Sequence, residues 1–185
     1  MGIPVIREYC RSGEDELDCL ERLFKRVSRE YGVEGVVAGT LLSDYQRMRI
    51  AVVAEKTGLK TYTPLWRIDQ EGYMREVVEN GIKFILTTVS AYGLSYRFLG
   101  KIVDTSLLEE ILSIARRYGL NPGFEGGEAE TLVLDAPLFK KKLYVKGYIV
   151  LEGPWCARLV ITSIELCDKL GVEVYGIWRE GEPTV

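Results

Sequence analysis

Three glutamates cluster around a glycine pair in GFEGGEAETLVLDAPLF, residues 123–139. Gly126 and Gly127 free the backbone to turn sharply, so Glu125 and Glu128 can converge on one point, with Glu130 and Asp135 further along. Converging carboxylates can hold Mg²⁺ through water, pair with a cation or move protons. The plainer alternative is an acidic turn before a strand, although Asp135, inside an apolar run, needs a partner in either case.

A second group follows the apolar segment VEGVVAG (33–39). Gly39, Thr40, Ser43, Tyr45 and Gln46, with Arg47 and Arg49 beyond them, lie where a parallel sheet hands over to a helix. Ligands of such sheets bind beyond the carboxyl ends of the strands. Gly39 would let a ligand approach the backbone, and the free amides of a helix start favour an anion. A capped turn with solvated arginines fits the same spacing. The third group, RSGEDE (11–16), superficially resembles a glycine-rich phosphate loop. It has one glycine and no lysine, and Glu14, Asp15 and Glu16 would repel phosphate, so a capping turn is expected. Glu16 could still reach a neutral or cationic group.

The rest of the composition narrows the chemistry. The chain has 185 residues and no histidine, which removes imidazole nucleophile activation, histidine metal sites and histidine proton shuttles. Its four cysteines, Cys10, Cys19, Cys156 and Cys167, lack metal-ligand spacing and are expected to be reduced core residues. A net charge of −3 gives no basic footprint, so nucleic acid is not an expected partner. No apolar run approaches the ~20 residues of a membrane span, and no signal-peptide pattern follows Met1. A cytoplasmic protein is expected. Scarce Asn and Gln fit a thermophilic source.

These groups must be positioned by recognisable elements. IPVIREYC (3–10) is β-rich and predicts a strand. GEDELDCLERLFKRVSREYG follows, with Leu17, Leu20, Leu23, Phe24 and Val27 at helical spacing. VEGVVAG predicts a buried strand, Ser43 caps a helix closed near Gly58, and KTYTPLW (60–66) predicts a third strand. Strand, helix, strand, helix, strand means parallel α/β. Beyond a boundary near Arg67 and Ile68, helices near 69–80 and 105–118 accompany four strand-like runs with little helix between the last three. That composition predicts an α+β unit with antiparallel pairing.

The motifs also carry a resemblance. EGGEAETLVLDAPLFKKKL (125–143) closely resembles the signature of the diphthine–ammonia ligase family, E-G-G-E-x-E-T-x-V-L-D-x-P-x-F. GVVAGTLLSDYQRMRI (35–50) is similar to the family's G-V-V-x-G-x-x-x-S-x-Y-Q-x-x-R-I. TYTPLW, VSAYGL (89–94) and LGKIVD (99–104) follow in the family's order, so the likeness covers roughly residues 1 to 165. It implies an adenine nucleotide alpha hydrolase-like domain of the PP-loop ATP pyrophosphatase superfamily, joined to a C-terminal substrate-binding domain. The implied reaction is ATP-dependent amidation of diphthine on translation elongation factor 2, through an acyl-adenylate, with ammonium as the nitrogen source.

On this resemblance Glu16, Tyr45, Gln46, Glu125 and Glu128 would line the diphthine pocket, where carboxylates and an aromatic face suit a quaternary ammonium. Gly39, Thr40 and Ser43 would serve ATP, with Mg²⁺ as its companion. No metal site or catalytic residue is assigned. Residues 1–67 would form a partial nucleotide-binding domain and residues 68–185 the substrate-binding domain. Two departures stand out. Lys101 stands where the family usually has arginine, a change that would weaken any bidentate contact. The family's opening strand and its phosphate loop, S-G-G-K-D-S, are absent, so the parallel sheet is expected to be incomplete. A start codon placed downstream of the true one is the favoured account, ahead of a partial paralogue or a homodimer that fills the gap. The rival function is a non-catalytic binding module that keeps the cation pocket.

Overall fold

The computed structural model describes residues 1–169 and the backbone of 176–180. Residues 170–175 and 181–185, part of the expected 68–185 domain, lie outside the described residues. The chain divides into two compact units, Gly2–Ile68 and Asp69–Val185.

In the first unit, α1 (Glu16–Tyr31) starts where the Asp15 carboxylate accepts the Leu17 amide and stops at Gly32, whose left-handed backbone returns an N–H to Ser28. β1 (Gly35–Val37) pairs in parallel with β2 (Lys60–Tyr62), and α2 (Asp44–Lys56) connects them under a Ser43 cap. Phe24 of α1, Val53 and Ala54 of α2, and Leu59 form the buried core, flanked by Leu17, Leu20, Leu23, Val36 and Ile50. The apolar stripe read from the sequence is therefore the face that α1 buries. The unit is α/β with a small parallel sheet.

Two expectations fail at the N-terminus. Residues 3–10 form no strand, because no other backbone pairs with them among the described residues. Helix α1 holds this segment instead. Arg26 donates to the Arg7 carbonyl, Arg22 to that of Tyr9, and both guanidiniums face the Glu8 carboxylate. Ile3, Val5 and Tyr9, which a sheet would have buried, are exposed. Nor are all the cysteines reduced: Cys10 and Cys19 form a disulfide, while Cys156 and Cys167 are free. Their nine-residue separation lets the turn before α1 bring the two sulfurs together.

The second unit is the expected α+β body. Its mixed sheet has the order β4-β3-β6-β5-β7, built from β3 (Lys83–Val89), β4 (Ala129–Asp135), β5 (Lys142–Leu151), β6 (Ala157–Cys167) and β7 (Gly176–Glu180). All neighbours are antiparallel except β5 and β7. β3, an interior strand, is buried on both faces, with Phe84 and Leu86 in one core and Ile85 in another. The larger core also takes in Met74 of α3 (Gln70–Glu79) and Leu108, Ile111 and Leu112 of α4 (Thr105–Tyr118). No helix among the described residues is long and apolar enough to cross a membrane.

An ion-pair chain ties α3 to α4. Arg75 Nε donates to Glu109 at 2.6 Å, Arg75 Nη2 reaches Glu71 at 3.2 Å, and Arg116 closes on Glu71 at 2.6 Å. The hydrogen bond from Arg75 holds the Glu109 carboxyl below its ordinary range, and Glu109 in turn raises Arg75. A carboxyl lowered by folding contributes stability that is complete above its unfolded value, about 4.3, and lost as pH falls through the folded one. Glu109→Gln is therefore expected to lower the thermal midpoint slightly at neutral pH, where the pair is intact, and to match the parent chain at the acid end, so that the acid limb flattens. The effect is small because the pair is half exposed. An acid limb as steep as that of the parent chain would exclude this pair from acid denaturation.

Candidate functional site

At the start of α2 the Ser43 side chain accepts the Gln46 amide at 3.3 Å, which orders the first turn and places Tyr45 and Gln46 on its surface. Together with Glu16, Leu17, Leu20, Arg49 and Ile50 they line a pocket of about 390 Å³. Its floor is aliphatic and its rim polar. The sequence reading assigned Glu16 and Tyr45 to a cation, and the structure supplies one from the chain itself. Arg49 donates to the Tyr45 hydroxyl at 2.8 Å and to Glu16 at 3.1 Å, and its guanidinium carbon lies 5.0 Å from the Tyr45 ring centroid. Two of the guanidinium's five N–H donors are used in these bonds, so the rest can serve an anionic or carbonyl group.

The loop before α2 is also informative. A Cβ built on Gly39 would meet nothing within 4 Å, so the space over this backbone is open. Thr40 is buried, and its hydroxyl oxygen lacks a partner. Nearby in sequence, the Arg47 guanidinium stacks 4.6 Å from the Trp66 ring, with its Nε buried and unpartnered. Buried polar atoms are normally satisfied, so an orphan needs a reason, and a ligand is one. Gly39 and Thr40 thus leave open space and an unused hydroxyl for a ligand, and Ser43 caps the helix start that follows them.

In the second unit the acidic turn is built tightly. Phe124 and Gly127 take left-handed backbone, Gly123 donates to the Gln70 side chain, and Gly127 donates to the Phe124 carbonyl. Ser90, just after β3, fastens the turn by donating twice: its amide to the Glu128 carbonyl and its hydroxyl to the Gly127 carbonyl. Glu128 uses one carboxylate oxygen for the Asn121 amide at 2.9 Å, and its Oε2 is buried without a partner. Glu125 is half-buried within the same turn, and Glu130 is exposed on β4. Asp135 has a structural answer, a 2.8 Å ion pair with Lys169.

The buried side-chain polar atoms left without partners among the described residues are Thr40 Oγ1, Arg47 Nε and Glu128 Oε2. All three fall in the two segments singled out from residue types alone. The structure brings Glu16, Tyr45 and Gln46 together in one unit and Glu125 and Glu128 together in the other. Sequence reasoning missed the occupation of the first group by Arg49, although its i,i+4 spacing from Tyr45 was a usable signal. It also missed Ser90, Asn121 and an aromatic cluster around Trp155, whose loop positions carry no periodicity.

Comparison with known proteins agrees with both units. Residues 1–61 match the family model for the diphthamide synthase N-terminal domain, and residues 69–170 that for the diphthamide synthase C-terminal domain. The chain is 40% identical over 163 residues to a diphthine–ammonia ligase of Schizosaccharomyces pombe, covering 88% of this chain and 27% of that protein. It is 40% identical over 148 residues to that of Danio rerio, covering 78% and 56%, and 38% identical over 138 residues to the human one, covering 74% and 51%. The chain thus spans about half the length of these vertebrate relatives and about a quarter of the yeast one. Two domain models matched in order, and relatives of one name across most of its length, make this chain a member of the diphthamide synthase family.

Proposed function

We propose that the chain belongs to an ATP-dependent diphthine–ammonia ligase acting in the cytoplasm, which amidates the diphthine carboxylate of translation elongation factor 2 with ammonium. The observation that carries this reading is the identity to diphthine–ammonia ligases over both matched domains. The orphaned polar atoms in the two assigned segments support it independently.

Residues 1–67 are proposed to handle the nucleotide and residues 68–185 most of the substrate. Gly39 offers open backbone, Thr40 a hydroxyl without a protein partner, and Ser43 an ordered helix start. Bound ATP, with Mg²⁺ on its phosphates, would supply the activation that a carboxylate needs before an amine can displace oxygen. Glu16, Tyr45, Gln46, Glu125 and Glu128 are proposed to contribute to diphthine recognition. Glu16 holds Arg49 in place, Tyr45 backs it with a ring, and Glu128 offers a carboxylate oxygen that no protein donor uses.

The test is AMP release with ATP, Mg²⁺, ammonium and diphthine-bearing elongation factor, followed by the mass of the acceptor residue. The expected result is AMP that depends on the acceptor, together with conversion of its acid to an amide. A chain that binds the elongation factor and leaves ATP intact would instead be a binding module.

A further inference from the structure

A second pocket, of about 190 Å³, lies wholly in the C-terminal unit. It opens at the sheet end where β3 stops at Val89, β5 at Leu151 and β6 begins at Ala157. Leu94, Tyr96, Leu151, Pro154, Trp155 and Cys156 line much of it, and none of its lining residues carries a formal charge. Burial raises the pKa of the Cys156 thiol, so this group too is neutral at physiological pH.

The Trp155 wall is braced. Its ring packs edge-on against Tyr92 with centroids 4.5 Å apart, and Tyr92 packs on Tyr118 at 4.9 Å. Tyr118 in turn lies over Gly93, where a Cβ would come within 2.6 Å of the ring. The indole is nevertheless 52% exposed, with Tyr92 and Tyr96 similarly open. Three half-exposed rings, one fixed by a stack that a glycine makes room for, are a prepared surface rather than leftover core.

The surrounding charge favours a cation. Glu125, Glu128 and Glu130 stand at the start of β4, which pairs with the same end of β3: Val89 faces Ala129, and Ser90 bonds the Glu128 carbonyl. Glu152 follows β5, and Arg158 of β6, opposite Val150, is committed to Glu152 at 2.5 Å. An uncharged aromatic pocket at an acid-rich sheet end suits a cation that is poorly hydrated and cannot donate hydrogen bonds. Quaternary ammonium is that class. The pocket beside Tyr45 differs, because any incoming cation there competes with Arg49 for Glu16 and the ring.

We infer that the Trp155–Tyr96 pocket receives the trimethylammonium head of the substrate, with Trp155 as its main aromatic wall. The choice of substrate rests on the diphthine reading; the pocket's preference for a methylated cation does not. The test titrates the whole chain with choline and with its carbon isostere, in which a quaternary carbon replaces nitrogen, following indole fluorescence and ligand NMR line widths. Choline is expected to bind and the neutral isostere to bind about tenfold more weakly. Trp155→Ala should weaken choline about tenfold, and Trp155→Phe, which keeps a ring, should recover most of the loss. Far-UV circular dichroism confirms that each variant is folded. Equal binding of both ligands, no binding by the parent chain, or a loss in Tyr45→Ala with none in Trp155→Ala would each overturn the inference. Failure of AMP release alongside Trp155-dependent choline binding would remove the ligase reading and leave the cation pocket standing.

Discussion

Glu128→Gln should leave the fold nearly intact and weaken binding to diphthine-bearing elongation factor by about tenfold or more, because charge-assisted hydrogen bonds contribute about 1.5–3 kcal/mol. Glutamine keeps an oxygen for the Asn121 amide, so the turn retains the bond that Glu128 now accepts at 2.9 Å. It places a neutral NH₂ where the buried, unpartnered Oε2 stands. Alanine loses both oxygens, and the partly buried Asn121 N–H is then left without its acceptor, at a cost of about 1–3 kcal/mol to the unit. The two variants therefore separate structure from recognition. Denaturant unfolding should order them parent, Gln, Ala with a clear gap only at Ala, while binding to the elongation factor should already be weakened about tenfold or more at Gln. If glutamine binds as well as the parent and only alanine fails, Glu128 builds the turn and does nothing more.

Much of this architecture was legible in the sequence for identifiable reasons. Leu17, Leu20, Leu23 and Phe24 repeat at the helical period, and Asp15 and Gly32 bracket them, so α1 could be drawn almost to the residue. Asp104 and Gly119 do the same for α4. The antiparallel character of the second unit followed from strands with no helix between them. The opening residues misled because β-propensity reports how well side chains fit a pleated surface, not whether another backbone is there to pair with. In this chain α1 offers arginines to residues 7–10 instead of a strand. The sheet order β4-β3-β6-β5 brings residue 89 beside both 129 and 157, an arrangement that no local pattern encodes. That arrangement sets the acidic turn and the Trp155 loop at one end of the sheet. The acidic turn stood out by residue type, whereas Trp155 is a single aromatic in a proline-containing loop. Arg49 shows the converse limit. The resemblance implied a substrate cation against Glu16 and Tyr45, whereas the geometry shows that a cation of the chain itself, Arg49, is held there.

Gly147→Ala should be the most damaging single-methyl change in the C-terminal unit, lowering its stability by about 1–3 kcal/mol, the usual cost of overpacking a closed site. Gly147 lies in β5 where the register against β6 shifts, between Lys146 paired with Ser163 and Gly147 paired with Ile161. A Cβ there would fall well inside contact distance of the Val160 carbonyl oxygen and within 3.2 Å of its carbon and 3.3 Å of Ile161 Cα. These are backbone atoms in the middle of the longest strand pair, so neither can rotate away, and relief requires the strands to part. Gly93→Ala makes a useful contrast. Its φ of 96° strains any side chain, but the group in the way is the Tyr118 ring, which is 38% exposed and can swing outward. That variant should lose less stability than Gly147→Ala and yet release the Tyr92–Trp155 stack, and with it choline binding. Chemical denaturation and choline titration of the two alanine variants should thus rank them in opposite orders. If Gly147→Ala unfolds at the denaturant concentration of the parent chain, β5 and β6 do not approach as closely as their bulged register requires.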